Sequence, residues 1–186
     1  MSKHDYEFNN MSPGSTVLRS IDPIVIEKPR APMHVHTYGG ETPFFKGLTQ
    51  GKLFATKCNN AKCDPSGQEG YYHLPPRIHC PDCLDKMEWV DITDLAAKKA
   101  KIHTHITIEH PGAFNRVPMP CELISVEIEG VATKLMSQMV DGKPEIGMRI
   151  APVFNTRKPT YTILDLAWVP EGTAPGDLPK GFRFSK

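Results

Sequence analysis

From Lys101 to Glu109 apolar and polar residues alternate, with Ile102, Thr104, Ile106 and Ile108 on one side and His103, His105, Thr107 and Glu109 on the other. That two-residue period predicts a half-buried strand. Residues 121–129 repeat it, with Ile124, Val126 and Ile128 in phase, and after a turn at Gly130 a third strand is expected over residues 131–140. Asp141-Gly-Lys-Pro marks the next turn. Gly147 introduces a fourth strand, residues 148–154, in which Pro152 calls for an edge position or a bulge because it has no N–H to donate. Residues 161–169 complete the set. Five short strands with no long helix between them predict a small closed barrel, and the five-stranded candidate is the OB-fold.

The first half of the chain is patterned differently. Residues 1–41 read as an extended N-terminal arm, rich in Pro, Ser, Asn and His, with one compact apolar cluster at Ile21-Asp-Pro-Ile-Val-Ile26. Such a segment cannot bury enough surface to offset its ordering entropy. A short helix is expected from Thr42 to about Gly51: Thr42 suits the N-cap, Pro43 the first helical position and Gly51 the C-terminal cap. Phe44, Phe45 and Leu48 would share one side of it, to pack on their own domain or on a neighbour. Residues 42–91 form the helix plus a cysteine-rich ribbon, residues 92–99 a link or single helical turn, residues 100–169 the barrel, and residues 170–186 a loose Gly- and Pro-rich tail.

Composition narrows the function classes. A formal net charge of +1 over 186 residues lacks the basic excess of a nucleic-acid footprint. No apolar run reaches the length of a membrane span. The opening Met1-Ser-Lys-His-Asp-Tyr has no apolar segment of the signal-peptide kind, so a cytoplasmic protein is expected.

Four of the five cysteines carry the chemistry. Cys58-Asn-Asn-Ala-Lys-Cys63 and Cys80-Pro-Asp-Cys83 are two short-spaced pairs, the arrangement of two knuckles gripping one tetrahedral ion. Zinc is the expected metal, structural because four thiolates leave no position for a reactive water; iron fits the same cage. Two disulfides or a redox Cys-x-x-Cys are the rival readings. His73 and His79 are close enough in sequence to substitute as ligands but are not needed. Leu53, Phe54, Tyr71, Tyr72, Leu74 and Trp89 would cover the cluster. Cys121 opens a strand and reads as a buried free thiol. His34 and His36 read as solvated.

The segment Leu74-Pro-Pro-Arg-Ile-His-Cys-Pro-Asp-Cys83 resembles the signature of the rubredoxin-like zinc-ribbon/OB-fold proteins that accompany thiolases, and Glu145-Ile-Gly-Met-Arg-Ile-Ala-Pro-Val-Phe154 looks like that family's fourth strand. The likeness spans about residues 42–169; the wider first knuckle, the link at 92–99 and the N-terminal arm depart from it. It implies a mainly β fold, with an N-terminal helix and rubredoxin-like zinc ribbon followed by a five-stranded OB-fold barrel. It also implies an accessory subunit of a hetero-oligomeric thiolase or related aldolase, docking on a thiolase-fold partner and shaping its acyl-CoA channel. The partner would carry the catalytic residues, and this chain none. That agrees with the absence of a phosphate loop, a serine elbow or telling carboxylate pairs in the sequence.

Within that expectation the bulky loop between the first two barrel strands lines the channel. Phe114 and Met119 would give apolar contact, and Arg116 would face a carboxylate or a CoA phosphate. The alternative from another class is a single-stranded nucleic-acid module, since OB-folds and zinc ribbons recur there. It would need aromatic platforms beside cations on exposed strand faces; the polar faces here carry His, Thr and Glu.

Overall fold

The computed structural model describes residues 16–19, 25–27, 37–63, 72–110 and 117–185. The chain forms two compact units, Met1–Thr37 and Tyr38–Lys186. In the first, β1 (Thr16–Arg19) and β2 (Val25–Glu27) pair antiparallel with a bulge between Val17 and Arg19. The expected extended arm therefore contains a hairpin, which satisfies backbone groups that an isolated extended chain would leave to water. His34 and His36 lie outside the described residues.

In the second unit the helix forms as α1 (Thr42–Thr49), with Pro43 in its first turn. Thr42 does not cap by accepting a bond; its hydroxyl donates to the Gly39 carbonyl. The other end follows the sequence closely. Gly51 takes φ +78° and donates to the Leu48 carbonyl, while Lys52 N–H reaches back to Gly47. These are the paired bonds of a Schellman termination, which needs a left-handed residue at Gly51's position. Phe44 and Leu48 are buried, and Phe45 stacks on Tyr38 with ring centroids 3.8 Å apart. The aromatic pair thus packs within its own unit.

Strand β3 (Phe54–Lys57) is the centre of a three-stranded antiparallel sheet with β4 (Tyr72–His73) and β5 (Glu88–Asp91) on its flanks. The link at 92–99 is helical, α2 (Thr93–Lys99). Six further strands follow: β6 (Ala100–Ile108), β7 (Cys121–Ile128), β8 (Leu135–Met139), β9 (Ile150–Asn155), β10 (Leu166–Pro170) and β11 (Phe182–Arg183). They form one sheet in the order β11-β9-β10-β8-β7-β6, with β8 and β10 parallel and the other neighbours antiparallel.

The closed barrel expected from sequence is replaced by this six-stranded sheet, in which the edge strand β6 meets the chain just ahead of β9 at a single point. Lys101 bridges Arg149, Ile102 N–H donates to the Met148 carbonyl and Gly147 N–H to the Ile102 carbonyl. A bulge in β6 between Ile102 and Thr104 explains why this contact goes no further, since an extra residue bends its strand and interrupts the ladder. The bulge also corrects the predicted face. Ile102 lies opposite Val126 and is buried, but Ile106 falls beside Leu123 and is 57% exposed.

The tail is not loose. β11 pairs with β9, and Phe182 and Phe184 pack on Val153, Ala167 and Val169. β11 reaches only Phe154 and Asn155, and β6 only Arg149, so Pro152 sits at the gap between them, where β9 has a partner on its β10 side alone. Nor do ribbon and strands have separate cores. Phe44, Leu48, Leu53, Leu74 and Ile92 belong to the same apolar cluster as Ile102, Ile124, Val126, Phe154 and Trp168.

Candidate metal centre and apolar cleft

Two turns bring the cysteines together. Cys58 follows β3 directly, and the wide first knuckle is organised by Asn60, whose side-chain oxygen accepts from Lys62 N–H and whose carbonyl accepts from Cys63 N–H. Asn60 Nδ2 also donates to Asp85, and Asn59 Nδ2 to Glu88, so the inserted residues tie one knuckle to the other. The second knuckle is closed by Leu84 N–H donating to the Cys80 carbonyl, with Leu84 at φ +64°. Cys80 N–H bonds the Asp85 carbonyl and Met87 N–H the Ile78 carbonyl, which makes the segment a short hairpin.

All four sulfurs lie within 4.8 Å of one another. Cys58 and Cys83 are 3.6 Å apart, and Cys63 and Cys80 3.5 Å. These are contacts between unbonded sulfurs, and all the cysteines are free thiols, so the reading as two disulfides does not apply. A tetrahedron of metal–thiolate bonds of about 2.3 Å spaces its sulfurs about 3.8 Å apart, which the cluster matches. Cys58 and Cys80 are buried, Cys63 and Cys83 half-buried, and Met87 packs against them.

The electrostatics point the same way. Burial pushes the Cys80 thiol up, but backbone N–H groups of Cys83 and Asp82 aimed at its sulfur, with help from Cys63 and Cys58, outweigh it and bring the pKa down to about 7. Cys63 is pushed up instead, first by its contacts with Cys80 and Cys83 and then by desolvation. Four thiols this close cannot all ionise without a cation among them, and amide N–H groups already face the sulfur of a thiolate. The cluster can therefore hold a metal ion, with four ligands and no open position.

The histidines stay out of it. Among the described residues the metal-capable group consists of the four cysteines alone. His79 is exposed. His73 is buried on β4 with Nδ1 unpartnered, and burial, helped by the Arg77 charge, lowers its pKa. Of the expected cover, Leu53 and Leu74 serve the main core, Phe54, Tyr72 and Trp89 are half-buried, and Tyr71 lies outside the described residues.

Phe114 and Arg116 also lie outside the described residues. Met119 is half-buried ahead of a cis bond to Pro120. The end of the same loop does line a cleft of about 610 Å³, where Val117 and Pro120 face Met139, Leu164 and Phe182. A smaller hollow of about 300 Å³ adjoins it, sharing Val117, Cys121, Gln138 and Leu164 and reaching Leu123 and Met136. Cys121 is thus half-buried at the junction of two apolar hollows, where sequence predicted a buried thiol. Its charged lining groups are the carboxylates Glu122 and Asp141.

Sequence reasoning missed Asp165. Fully buried beside β10, it accepts from Thr160 N–H at 2.8 Å, Tyr161 N–H at 2.7 Å, the Thr160 hydroxyl and Asn155 Nδ2. It folds the loop between β9 and β10 onto itself. With its donors coming from that loop and from the last residue of β9, the arrangement is structural.

Comparison of this fold with solved structures gives two informative likenesses. A Sulfolobus solfataricus protein of unknown function from the DUF35 family matches at TM-score 0.50 and 21% identity, over 71% of this chain and 86% of that one. The structure described as the Ltp2-ChsH2(DUF35) aldolase matches at TM-score 0.51 and 22% identity, over 70% of this chain and 93% of that one. This chain has the DUF35 fold. No family model matches the sequence, and no curated protein does. The shared architecture is therefore visible in three dimensions at an identity where it fades from sequence.

Proposed function

We propose that the protein is the non-catalytic, zinc-binding subunit of a hetero-oligomeric, thiolase-type complex acting on acyl-CoA thioesters. The observation that carries this reading is the DUF35 fold, shared with the ChsH2 chain of the Ltp2-ChsH2 aldolase, joined to a metal centre with no vacant coordination position. A subunit whose four-cysteine cluster is saturated has no activated water to offer there, and on this reading bond making and breaking belong to the partner.

Cys58, Cys63, Cys80 and Cys83 hold the zinc, which fixes the hairpin between Ile78 and Met87 and the wide first knuckle. The strand unit is read as an open, OB-like arrangement, in which the order β6-β7-β8-β10-β9 brings β6 back to the start of β9 at the single Lys101–Arg149 bridge. The loop between β6 and β7 faces the acyl-CoA channel, with Met119, Phe114 and Arg116 on it and the cleft at Val117 and Leu164 as its apolar wall. Within the thiolase-associated family that the sequence resembles, we take the small subunit of benzoylsuccinyl-CoA thiolase as the specific relative, which makes benzoylsuccinyl-CoA the first thioester to assay. Against the single-stranded nucleic-acid alternative, the outer strand faces that would stack bases present Ile106, Leu123 and Met136 instead of aromatic platforms.

Co-expression with a thiolase-like chain and affinity capture of the pair tests the proposal. The expected result is a stable complex that cleaves or forms acyl-CoA thioesters, with activity absent from this chain alone. Arg116→Ala in that complex should lower turnover, whereas unchanged turnover removes Arg116 from the channel. Thioester turnover by the pure, isolated chain would overturn the whole reading.

A further inference from the structure

The second half of β6 is an open strand edge. Residues 104–108 pair with β7 on one flank, from Thr104 opposite Ser125 to Ile108 opposite Cys121. On the other flank the contacts with Gly147, Met148 and Arg149 stop at Ile102, and among the described residues nothing pairs beyond it. An edge of this kind presents a row of unpaired N–H and C=O groups, which proteins usually blunt with lysine, proline or an inward charge. Thr104-His-Ile-Thr-Ile108 contains none of these. Thr104, His105, Ile106 and Thr107 are all exposed, so both faces and the edge are accessible.

We infer that this edge pairs antiparallel with the same edge of a second copy of the chain, about a two-fold axis at Ile106. The strand is complementary to itself. Ile106 would face its own counterpart, Thr104 would face Ile108, and on the opposite face His105 would face Thr107. No charged side chain meets a like charge, because Lys101 and Glu109 both fall outside the paired stretch. Packing agrees with pairing. Ile106 already lies beside Leu123, so the two copies would set four apolar side chains in a row across the joined sheet, Leu123 and Ile106 from each. Met136, 54% exposed on the neighbouring strand, extends the apolar strip on both sides. The bulge at His103 defines the end of the contact and is what turns Ile106 outward. An isologous interface of this sort closes on itself and stops at two copies.

Sedimentation of the zinc-loaded full chain tests this independently of any thiolase partner, so its outcome and that of the turnover assay can be told apart. The expected species is a dimer. Ile106→Lys and Ile106→Glu should each sediment as a monomer with an unchanged circular dichroism spectrum, since each sets like charges against one another on the axis. Mixing the two variants should restore a dimer, which a merely misfolded variant could not do. Ile146→Lys, at an exposed isoleucine next to Gly147 and outside the open 104–108 edge, should dimerise as the parent does. A parent chain that stays monomeric at its highest soluble concentration overturns the inference, as does a dimer that both charged variants retain. A monomer that engages a thiolase-like chain through Ile106 also overturns it and assigns the edge to that chain.

Discussion

Leu84 holds a left-handed backbone with 74% of its surface exposed. That conformation costs a non-glycine residue about 1–2 kcal/mol, and the side chain gains little burial in return. Glycine would remove the strain while adding freedom to the unfolded chain, an opposing effect of about 0.5–1 kcal/mol. Leu84→Gly should therefore stabilise the metal-loaded protein by up to about 1 kcal/mol, read as a higher urea midpoint at unchanged m-value. A lower midpoint would mean that the leucine side chain itself supports the knuckle. The cysteines one and four positions away were legible in the sequence because metal ligation imposes spacing along the chain. Asp165 was not, because its donors come from a loop whose folding is itself the interaction, and nothing in Leu-Asp-Leu distinguishes a buried carboxylate from a solvated one.

The elements read from periodicity survive best where one face meets the core without interruption. Ile124, Val126 and Ile128 are all buried, as their alternation predicted. In β6 the same alternation misled, because a bulge shifts phase without leaving a mark in composition. The link at 92–99 became α2 through contacts that sequence alone does not reveal. Asp91 accepts from Thr93 N–H at 3.1 Å, and the Thr93 hydroxyl accepts from Leu53 N–H at 2.8 Å, so the helix start is tied to β3. Lys52 adds an ion pair at 3.3 Å. Burial raises the Asp91 pKa, but the bonds from Thr93 and the Lys52 charge more than offset it and hold the group below its ordinary 3.8. A depressed carboxylate contributes stability that is complete above its unfolded pKa and disappears as pH falls through the folded one. The stability gap between the parent and Asp91→Asn, from urea melts, should thus be constant from neutral pH to about pH 5 and close as pH drops below about 4. A gap that persists in acid would assign the effect to shape instead of charge.

At the scale of the molecule, the metal end and the strand sheet are two ends of one packed body. Leu53, Leu74 and Ile92 lie in the core with Ile124 and Trp168, while the cysteines share a separate small cluster with Met87. Removing the ion should consequently unmake one end and leave the other. Under a strong chelator, hydrogen exchange should accelerate across residues 58–63 and 78–87, with β7 and β10 unchanged; uniform acceleration would show that the metal holds the whole fold. Side chains on both sides of residue 92, where composition changes along the chain, fill a single interior.

On the proposed reading, with zinc as the ion and a partner docking on the ribbon, that arrangement decides where a shortage of zinc would be felt. The starved chain would still be made, still collapse and still escape the proteases that clear unfolded polypeptides, yet it would present an unformed tip to whatever docks there. Scarcity would register as subunits waiting unassembled, with their total amount unchanged.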